Sequence, residues 1–277
     1  MSAGPSQYIH GVAPEEQARL ALLNGLLNDA CLRQIAPRPG ERVLDVGSGL
    51  AQFTRALARA VRPGGRVVGV ERDPAQMGAA RRLAAGDGEA DLVELRSGEA
   101  TALPLADGEW GTFDLAHTRF LLEHVPDPRA VVRGMVRAVR PGGRVVLCDD
   151  DHALLRLWPE PPGVAELWRA YERSYDRLGN DPYVGCRLVE LLYRAGAAPE
   201  RNDWVFFGGC AGAPHFPALV TNFAVLLRGA RDTLVRLQLI DAEPADAAIA
   251  AFEDWGRRPD AALWYAAAVA VGRRPEE

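Results

Sequence analysis

The feature that most constrains the fold is a regular alternation of short apolar strands with helices over residues 38–150. Five runs carry the strand signal: 42–46, 66–71, 91–96, 113–117 and 144–148. Most of these runs have consecutive apolar residues rather than apolar residues at alternate positions, which indicates strands buried on both faces. Parallel sheets covered by helices bury their strands in this way. We therefore expect a doubly wound α/β fold.

Helical patterns fill most of the intervals between these strands. They cover residues 14–35, 50–61, 74–85 and 128–139. Asp73 followed by Pro74 is a typical helix start, with an N-cap residue before a proline at the first helical position. A Pro-Gly-Gly turn precedes the second and the fifth strand and ends the helix before it. The local signals thus agree with the strand pattern.

After residue 150 the alternation ends. Helices are predicted at 163–178 and 184–195, strands at 204–207 and 264–271, and a mostly helical stretch at 214–257 that is interrupted near Pro244. Two strands at the end of the chain suit an antiparallel hairpin edge of the sheet. No low-complexity linker separates the two halves, so the prediction is a single domain over 1–277, with an N-terminal helical segment at 1–37 and a core at 38–150.

Composition narrows the class of protein. The net charge of −5 and a sequence pI of about 5.7 argue against a nucleic-acid partner. The longest apolar run, near 261–271, is too short to span a bilayer, and the first residues do not resemble a secretory signal. The four cysteines form no CxxC pair, which speaks against a zinc knuckle. We expect a cytoplasmic protein that binds neither nucleic acid nor membrane.

The segment Asp45-Val46-Gly47-Ser48-Gly49 is the strongest functional signal. It joins a strand to a helix, where glycines allow the backbone to approach a ligand. Asp45 can order the loop. Glu71 ends the next strand, where a carboxylate accepts hydrogen bonds from both ribose hydroxyls of a nucleoside. The alternative is an ordinary tight turn beside a solvated Glu71.

The glycine spacing indicates which nucleoside is bound. Dinucleotide-binding loops follow G-x-G-x-x-G, and Gln52 occupies the place of the third glycine here. The form D-x-G-x-G instead resembles the first motif of the class I S-adenosylmethionine-dependent methyltransferases. That motif continues to a further glycine, where this chain has Ala51.

The resemblance extends over residues 38–150 and into the C-terminal tail. It is carried by Ser97–Ala100 with Leu103–Leu105, by Phe113–His117, by Leu122–Pro128, by Arg140–Gly143 and by 264–275. It is nearest to the branch that contains ubiquinone, menaquinone and small natural-product methyltransferases. It implies a Rossmann-like methyltransferase fold with a seven-stranded, mostly parallel sheet and an antiparallel C-terminal strand.

The resemblance also implies S-adenosylmethionine as cofactor, with S-adenosylhomocysteine as product. The residues expected to bind it are Asp45, Gly47, Ser48, Gly49, Glu71, Arg72, Met77, Glu99 and Ala100. Glu99 stands where the family usually has Asp beside the adenine amino group, a role we expect it to share with the backbone of Ala100.

The implied reaction is displacement at a sulfonium methyl. The methyl carbon is already activated, so the protein must align the nucleophile and exclude water. A base is needed only when the acceptor carries a proton of high pKa. His117 and His124 follow the fourth strand and are the candidate catalytic bases. The alternative for each is a structural histidine.

Acceptor-binding candidates lie in and after the fourth and fifth strands. They are Arg119, Asp149, Tyr175 and Tyr183. Asp149 begins the run Asp-Asp-Asp-His, but neighbouring residues in an extended segment point in opposite directions, so we expect no metal site there. Segments 152–180 and 214–257 are expected to form a helical cover over the acceptor site. Tyr8 and His10 either fold over the cofactor or belong to a frayed terminus.

The predicted function is methyl transfer to a small, apolar or aromatic metabolite. A cofactor-fold protein without methyl transfer, such as a cyclase or binding module, is the alternative, and a nicotinamide oxidoreductase is disfavoured by the glycine spacing. The sequence leaves open whether oxygen, carbon or nitrogen is methylated, and whether the chain oligomerises.

Overall fold

A computed structural model describes residues 14–276. The helices are α1 (Pro14–Ile35), α2 (Gln52–Ala60), α3 (Pro74–Gly86), α4 (Pro128–Ala138), α5 (Val164–Leu178), α6 (Leu188–Arg194), α7 (Phe216–Arg236) and α8 (Ala242–Trp255). The strands are β1 (Arg42–Val46), β2 (Arg66–Glu71), β3 (Glu94–Ser97), β4 (Phe113–Arg119), β5 (Val139–Asp150), β6 (Arg156–Trp158), β7 (Ala198–Phe206), β8 (Gly209–Cys210), β9 (Ala262–Trp264) and β10 (Ala266–Arg273).

The described chain divides into two compact units. The sheet unit contains Asn28–Asp150, Val184–Val205 and the residues from Ala268 onward. The helical unit contains the residues up to Leu27, Asp151–Tyr183 and Phe206–Ala267. Both segments expected to form a cover, 152–180 and 214–257, belong to the helical unit.

The larger sheet has seven strands in the order β3-β2-β1-β4-β5-β10-β7. Strands β1 to β5 pair in parallel, and the register places Asp45 between Gly69 and His117. At the other side of β5, Gly142 N–H donates to the Arg274 carbonyl and Arg274 N–H to the Gly143 carbonyl, both at 2.9 Å. The end of β10 thus lies beside the start of β5, so β10 is antiparallel. The prediction of a seven-stranded, mostly parallel sheet is confirmed.

The core of the sheet unit explains the apolar runs. Leu44, Val46, Val68 and Leu147 of the central strands are buried in one apolar cluster. Helix α4 contributes further members, among them Met135, which is fully buried. Strands covered on both faces bury successive side chains, most of which are apolar, and this is why the pattern does not alternate.

Glu109 links strands β1 and β3 of this sheet through ion pairs. Glu109 accepts hydrogen bonds from Arg96 of β3 and Arg42 of β1, each at 2.6 Å. The hydrogen bond from Arg96 lowers the pKa of the Glu109 carboxyl to about 2. This carboxylate therefore stays charged well into the acid range.

Several element boundaries differ from the sequence prediction: β3 begins at Glu94 rather than 91, and α6 begins at Leu188 rather than 184. Strand β5 begins at Val139 rather than 144, and β7 begins at Ala198 rather than 204. The predicted strand 264–271 is two strands, β9 and β10, separated at Tyr265. The separation arises because β9 pairs antiparallel with β6 and β8 in a second, three-stranded sheet within the helical unit. Strands β6, β8 and β9 have only two or three residues each, which is too short for a recognisable hydrophobic periodicity in the sequence.

The helical unit packs through aromatic side chains. Phe223 of α7 lies 6.1 Å from Trp168 of α5 and 5.6 Å from Tyr265, measured between ring centroids. The interruption expected near Pro244 falls at 237–241 instead, since Pro244 lies in the first turn of α8, where its missing N–H costs nothing. None of the helices in residues 14–276 is long and apolar enough to cross a membrane.

Candidate cofactor and acceptor sites

The glycine loop after β1 is bound to the end of β2 through its backbone. The N–H groups of Gly47 and Ser48 both donate to the carbonyl of Val70, at 2.8 and 2.9 Å. Gly47 has a φ of +79°, and a Cβ placed there would lie 3.0 Å from the side chain of Leu121. Only glycine satisfies both conditions without strain.

Glu71 is the second anchor of the loop. One carboxylate oxygen accepts the Gly49 N–H and the other accepts the Asp73 N–H, each at 2.9 Å. A carboxylate offers about four lone-pair positions, so two backbone donors leave room for two hydroxyls of a ligand. Glu71 is half-buried at the carboxyl end of its strand, where open α/β sheets bind ligands.

Asp45 acts inside the fold. Its buried carboxylate accepts the Thr54 hydroxyl at 2.6 Å and lies 2.8 Å from Nδ1 of His117. These contacts join β1 to α2 and to β4 directly beneath the loop. Asp45 thus links three elements next to the loop, and Thr54 is a partner of Asp45 that sequence reasoning missed.

Ala51 stands where the family motif has its last glycine. It caps the N-terminus of α2 with a φ of +55° and is fully buried. An L-residue in the left-handed region costs about 1–2 kcal/mol. Alanine can therefore replace the glycine of the motif at position 51, at the cost of this backbone strain.

Three buried polar atoms beside the loop have no hydrogen-bond partner among residues 14–276: Ser48 Oγ, Gln52 Oε1 and Gln76 Oε1. Gln76 Oε1 lies near Gly49, about where a Cβ on that glycine would point. Buried acceptors of this kind are normally satisfied, so they fit a bound ligand with N–H or O–H donors such as S-adenosylmethionine. Sequence reasoning did not single out Gln52 and Gln76 as candidates, although each lies in the first turn of a helix that follows a sheet strand.

The remaining cofactor candidates surround the same edge. Met77 is buried on α3, and Ala100 packs against the core of the sheet unit. Arg72 and Glu99 are exposed, with a nitrogen-to-oxygen distance of 3.8 Å. Met77 and Ala100 can form apolar walls, and the two charged side chains lie exposed at the surface.

The two candidate bases have different surroundings. His117 is 0% exposed, packs 5.1 Å from the Phe53 ring and is held by Asp45. His124 ends a single helical turn, Leu122–His124, and its Nε2 lies 3.4 Å from Glu123 Oε1. Only His124 retains some exposure to solvent, with its side chain 13% accessible.

Asp149 holds the segment that carries His124. Its carboxylate accepts the backbone N–H groups of Leu121 at 3.1 Å and Leu122 at 2.8 Å. Burial is the main cause that raises the pKa of Asp149 well above its usual value, and neighbouring Glu123 adds to it. The group is therefore placed to shape the loop after β4.

Arg119, the third candidate near this edge, is held by several contacts in the sheet unit. Its guanidinium lies 4.1 Å above the Phe53 ring and donates to Asn28 Oδ1 at 3.1 Å. A cation over an aromatic face is stabilised by the ring quadrupole. Reaching an anionic acceptor would require it to leave these contacts.

The tyrosine candidates lie in the helical unit. Tyr183 lines a cavity of about 450 Å³ in that unit. Tyr175 is buried, and its hydroxyl lies 3.0 Å from that of Tyr171. Of the two, only Tyr183 faces the cavity. Tyr8 and His10 lie outside the described residues.

Comparison with known proteins agrees with this geometry. Residues 44–147 match a family described as a methyltransferase domain. An uncharacterized 37.1 kDa protein of a Streptomyces fradiae transposon is 36% identical over 58% of this chain and 44% of its own length. The chain spans about half the length of several curated relatives that it matches.

The fold is shared with solved methyltransferases. Geranyl diphosphate C-methyltransferase from Streptomyces coelicolor A3(2), in complex with Mg²⁺, geranyl diphosphate and S-adenosylhomocysteine, has a TM-score of 0.56 at 14% identity, over 98% of this chain and 90% of that one. That likeness concerns the fold alone.

One further relative has a longer match. The demethylmenaquinone methyltransferase of Listeria monocytogenes serotype 4a is 30% identical over 64% of this chain and 77% of its own length. A match of this extent includes much more than the glycine loop, so the chain belongs to the class I S-adenosylmethionine-dependent methyltransferases, in the branch of quinone and small-molecule methyltransferases.

Proposed function

We propose that the protein transfers a methyl group from S-adenosylmethionine to a small, apolar or aromatic metabolite by in-line displacement. The observation that carries the proposal is the Glu71 carboxylate, held beside the glycine loop by Gly49 and Asp73 at the carboxyl end of β2. S-adenosylmethionine is the cofactor of the family to which the chain belongs.

The surrounding residues have complementary proposed roles. Gly47 and Gly49 let the cofactor approach the backbone, and the carboxylate of Glu71 accepts the ribose hydroxyls. The oxygens of Gln52 and Gln76 accept donors of the cofactor. Further proposed contacts are Ser48, Arg72, Met77, Glu99 and Ala100, with Asp45 acting through the loop that it orders.

Methyl transfer from S-adenosylmethionine requires the protein mainly to align the reactants. The sulfonium activates the methyl carbon, so the residues must position the acceptor and exclude water. We assign the base, where the acceptor needs one, to His124, because it keeps some exposure and its loop is fixed by Asp149. His117 is fully buried against Asp45 and is assigned a positioning role.

The apolar or aromatic nature of the acceptor is supported by the helical unit. Its cavity is lined mostly by apolar side chains, including Leu157, Val164 and Trp168. Tyr183 is retained as an acceptor contact, and Tyr175 as part of the packing behind it. Arg119 is retained as a residue that could pair with an anionic group on leaving Phe53.

We also propose that segments 152–180 and 214–257 act as a cover for the acceptor. A displacement near water requires closure, so their amide hydrogens should exchange more slowly when cofactor and acceptor are both present. Hydrogen exchange measured by mass spectrometry tests this. Protection restricted to residues 45–100 would show that the acceptor binds elsewhere.

A cytoplasmic location is proposed as well, with no nucleic-acid or membrane partner. The four cysteines are free thiols, and the net charge is −5. Free thiols persist in a reducing compartment. Fractionation of the native host checks the location, and a DNA or RNA shift assay at physiological salt should show no binding.

The decisive experiment follows the products of S-adenosylmethionine. The purified protein is incubated with the cofactor and a panel of phenols and quinones, and S-adenosylhomocysteine and methylated product are quantified by mass spectrometry. Equal amounts of both should form with at least one acceptor. Cofactor retained on the protein with no S-adenosylhomocysteine from any acceptor would favour a cofactor-fold protein without methyl transfer.

A further inference from the structure

The cavity of the helical unit is formed by the segment after β5 and by α5. Its volume of about 450 Å³ lies in the range of small-molecule sites, roughly 300–1,000 Å³. One wall is apolar and is formed by Leu155, Leu157, Pro161, Val164, Ala165 and Trp168. This wall suits the body of an apolar ligand.

A polar cluster also lines the cavity. It contains Glu172, Tyr183 and His152. The Glu172 carboxylate is half-buried and accepts a hydrogen bond from the Tyr183 hydroxyl. His152 is buried, its carbonyl accepts Trp168 Nε1 at 2.8 Å, and its ring stacks on Tyr171 at 5.4 Å. These contacts hold His152 in place within the polar cluster.

The charges around Glu172 determine what it can receive. Burial raises the pKa of Glu172, and Asp151 adds to the rise, while His152, Tyr183 and Arg156 oppose it. A carboxylate at this position has acceptor capacity beyond the single bond from Tyr183.

The two arginines of the cavity are already committed to other partners. Arg156 donates to the carbonyls of Ala153 and Leu155, at 2.7 and 2.8 Å. Arg169 donates to Glu166 at 2.9 Å and to the Ala165 carbonyl at 3.1 Å. Both arginine side chains are exposed, whereas the Glu172 carboxylate is half-buried. The half-buried charged group that a ligand meets is therefore a hydrogen-bond acceptor rather than a cation. An anionic ligand would face the carboxylates of Glu172 and Glu160, which both line the cavity.

We propose that this cavity binds a small, largely apolar molecule with one neutral hydroxyl, which donates its hydrogen bond to Glu172 while the apolar body packs on Trp168. The proposal that a molecule of this class binds here is supported by the cavity alone. The identification of the ligand as the methyl acceptor rests on the proposed function.

The test compares two probes of nearly equal size, 2-naphthol and 2-methoxynaphthalene. Only the first can donate a hydrogen bond to Glu172. Calorimetry on the full chain, without S-adenosylmethionine, should show 2-naphthol binding about tenfold more tightly, the effect expected of a hydrogen bond to a charged group. Glu172→Leu should remove this preference, because it removes the acceptor and keeps an apolar side chain.

Two further variants locate the effect. Ala165→Phe fills the apolar wall and should weaken both probes about tenfold or more. Glu243→Leu, at an exposed glutamate of α8 outside the cavity, is the matched control and should leave both affinities unchanged. Circular dichroism confirms that each variant is folded.

Equal affinity of the two probes for the wild type would overturn the proposal, as would a preference that survives in Glu172→Leu or tight binding in Ala165→Phe. Because no cofactor is present, these outcomes do not depend on methyl transfer. Conversely, a protein that binds 2-naphthol through Glu172 yet forms no S-adenosylhomocysteine would refute the proposed function and leave this site standing.

Discussion

Replacing Glu71 with alanine tests the carboxylate on which the cofactor proposal depends. The substitution removes the acceptor of the Gly49 and Asp73 N–H groups, both at 2.9 Å, and the proposed acceptor of the ribose hydroxyls. A hydrogen bond to a charged group contributes about 1.5–3 kcal/mol. Loss of the ribose contact alone should therefore weaken cofactor binding about tenfold to a hundredfold.

Loss of the hydrogen bonds from the Gly49 and Asp73 N–H groups should further weaken cofactor binding. Without Glu71, the loop loses its link to the start of α3 and must be ordered by the cofactor itself, which moves the expected loss toward the upper end of that range. Glu71→Gln keeps one acceptor oxygen and should fall between wild type and alanine. Glu94→Ala, an exposed glutamate at the other end of the neighbouring strand, is the matched control and should bind normally.

The assay is calorimetry with S-adenosylmethionine and S-adenosylhomocysteine at constant salt, on variants shown to be folded by circular dichroism. NAD should give no heat of binding with any of them. Unchanged affinity in folded Glu71→Ala would remove this residue from the cofactor site and with it the main support for the proposed geometry.

Four other substitutions have clear expected outcomes. His124→Ala should lower turnover about a hundredfold with an acceptor that carries a proton of high pKa, while calorimetry shows unchanged cofactor affinity. Glu109→Gln should lower the free energy of unfolding at pH 7 by about 1–2 kcal/mol, because Arg96 lowers the pKa of this partly exposed carboxyl from 4.5 to about 2. The stabilisation is present above pH 4.5 and is lost as the pH falls toward 2, so the difference from wild type in denaturant titrations should vanish there. Ala51→Gly should change the free energy of unfolding by less than about 1 kcal/mol, since relief of left-handed strain offsets the entropy of glycine, whereas Gly47→Ala should cost more than about 2 kcal/mol.

Each of these outcomes can fail. Full turnover in His124→Ala would mean that the reaction relies on alignment alone. A Glu109→Gln deficit that persists at pH 2 would assign the loss to packing rather than to charge. Equal destabilisation by Ala51→Gly and Gly47→Ala would show that backbone conformation in the loop is not what restricts these positions.

The sequence by itself determined the parallel sheet and the glycine loop after β1, because both depend on local signals. Apolar runs bounded by Pro-Gly-Gly turns define the strands, and a glycine loop must adopt its conformation within a few residues. Asp45, Gly47 and Glu71 could therefore be chosen by their place at strand ends, since parallel strands bring their carboxyl ends to one edge.

Tertiary structure decided what each polar side chain faces. The strand register places His117 against Asp45 and buries it, and packing within the helical unit brings Glu172 and Tyr183 into one cavity while Tyr175 is enclosed. The division of 264–271 at Tyr265 likewise depends on pairing with β6 and β8. Register, burial and cavity shape arise from contacts between residues far apart in the chain, and no local pattern in the sequence encodes them.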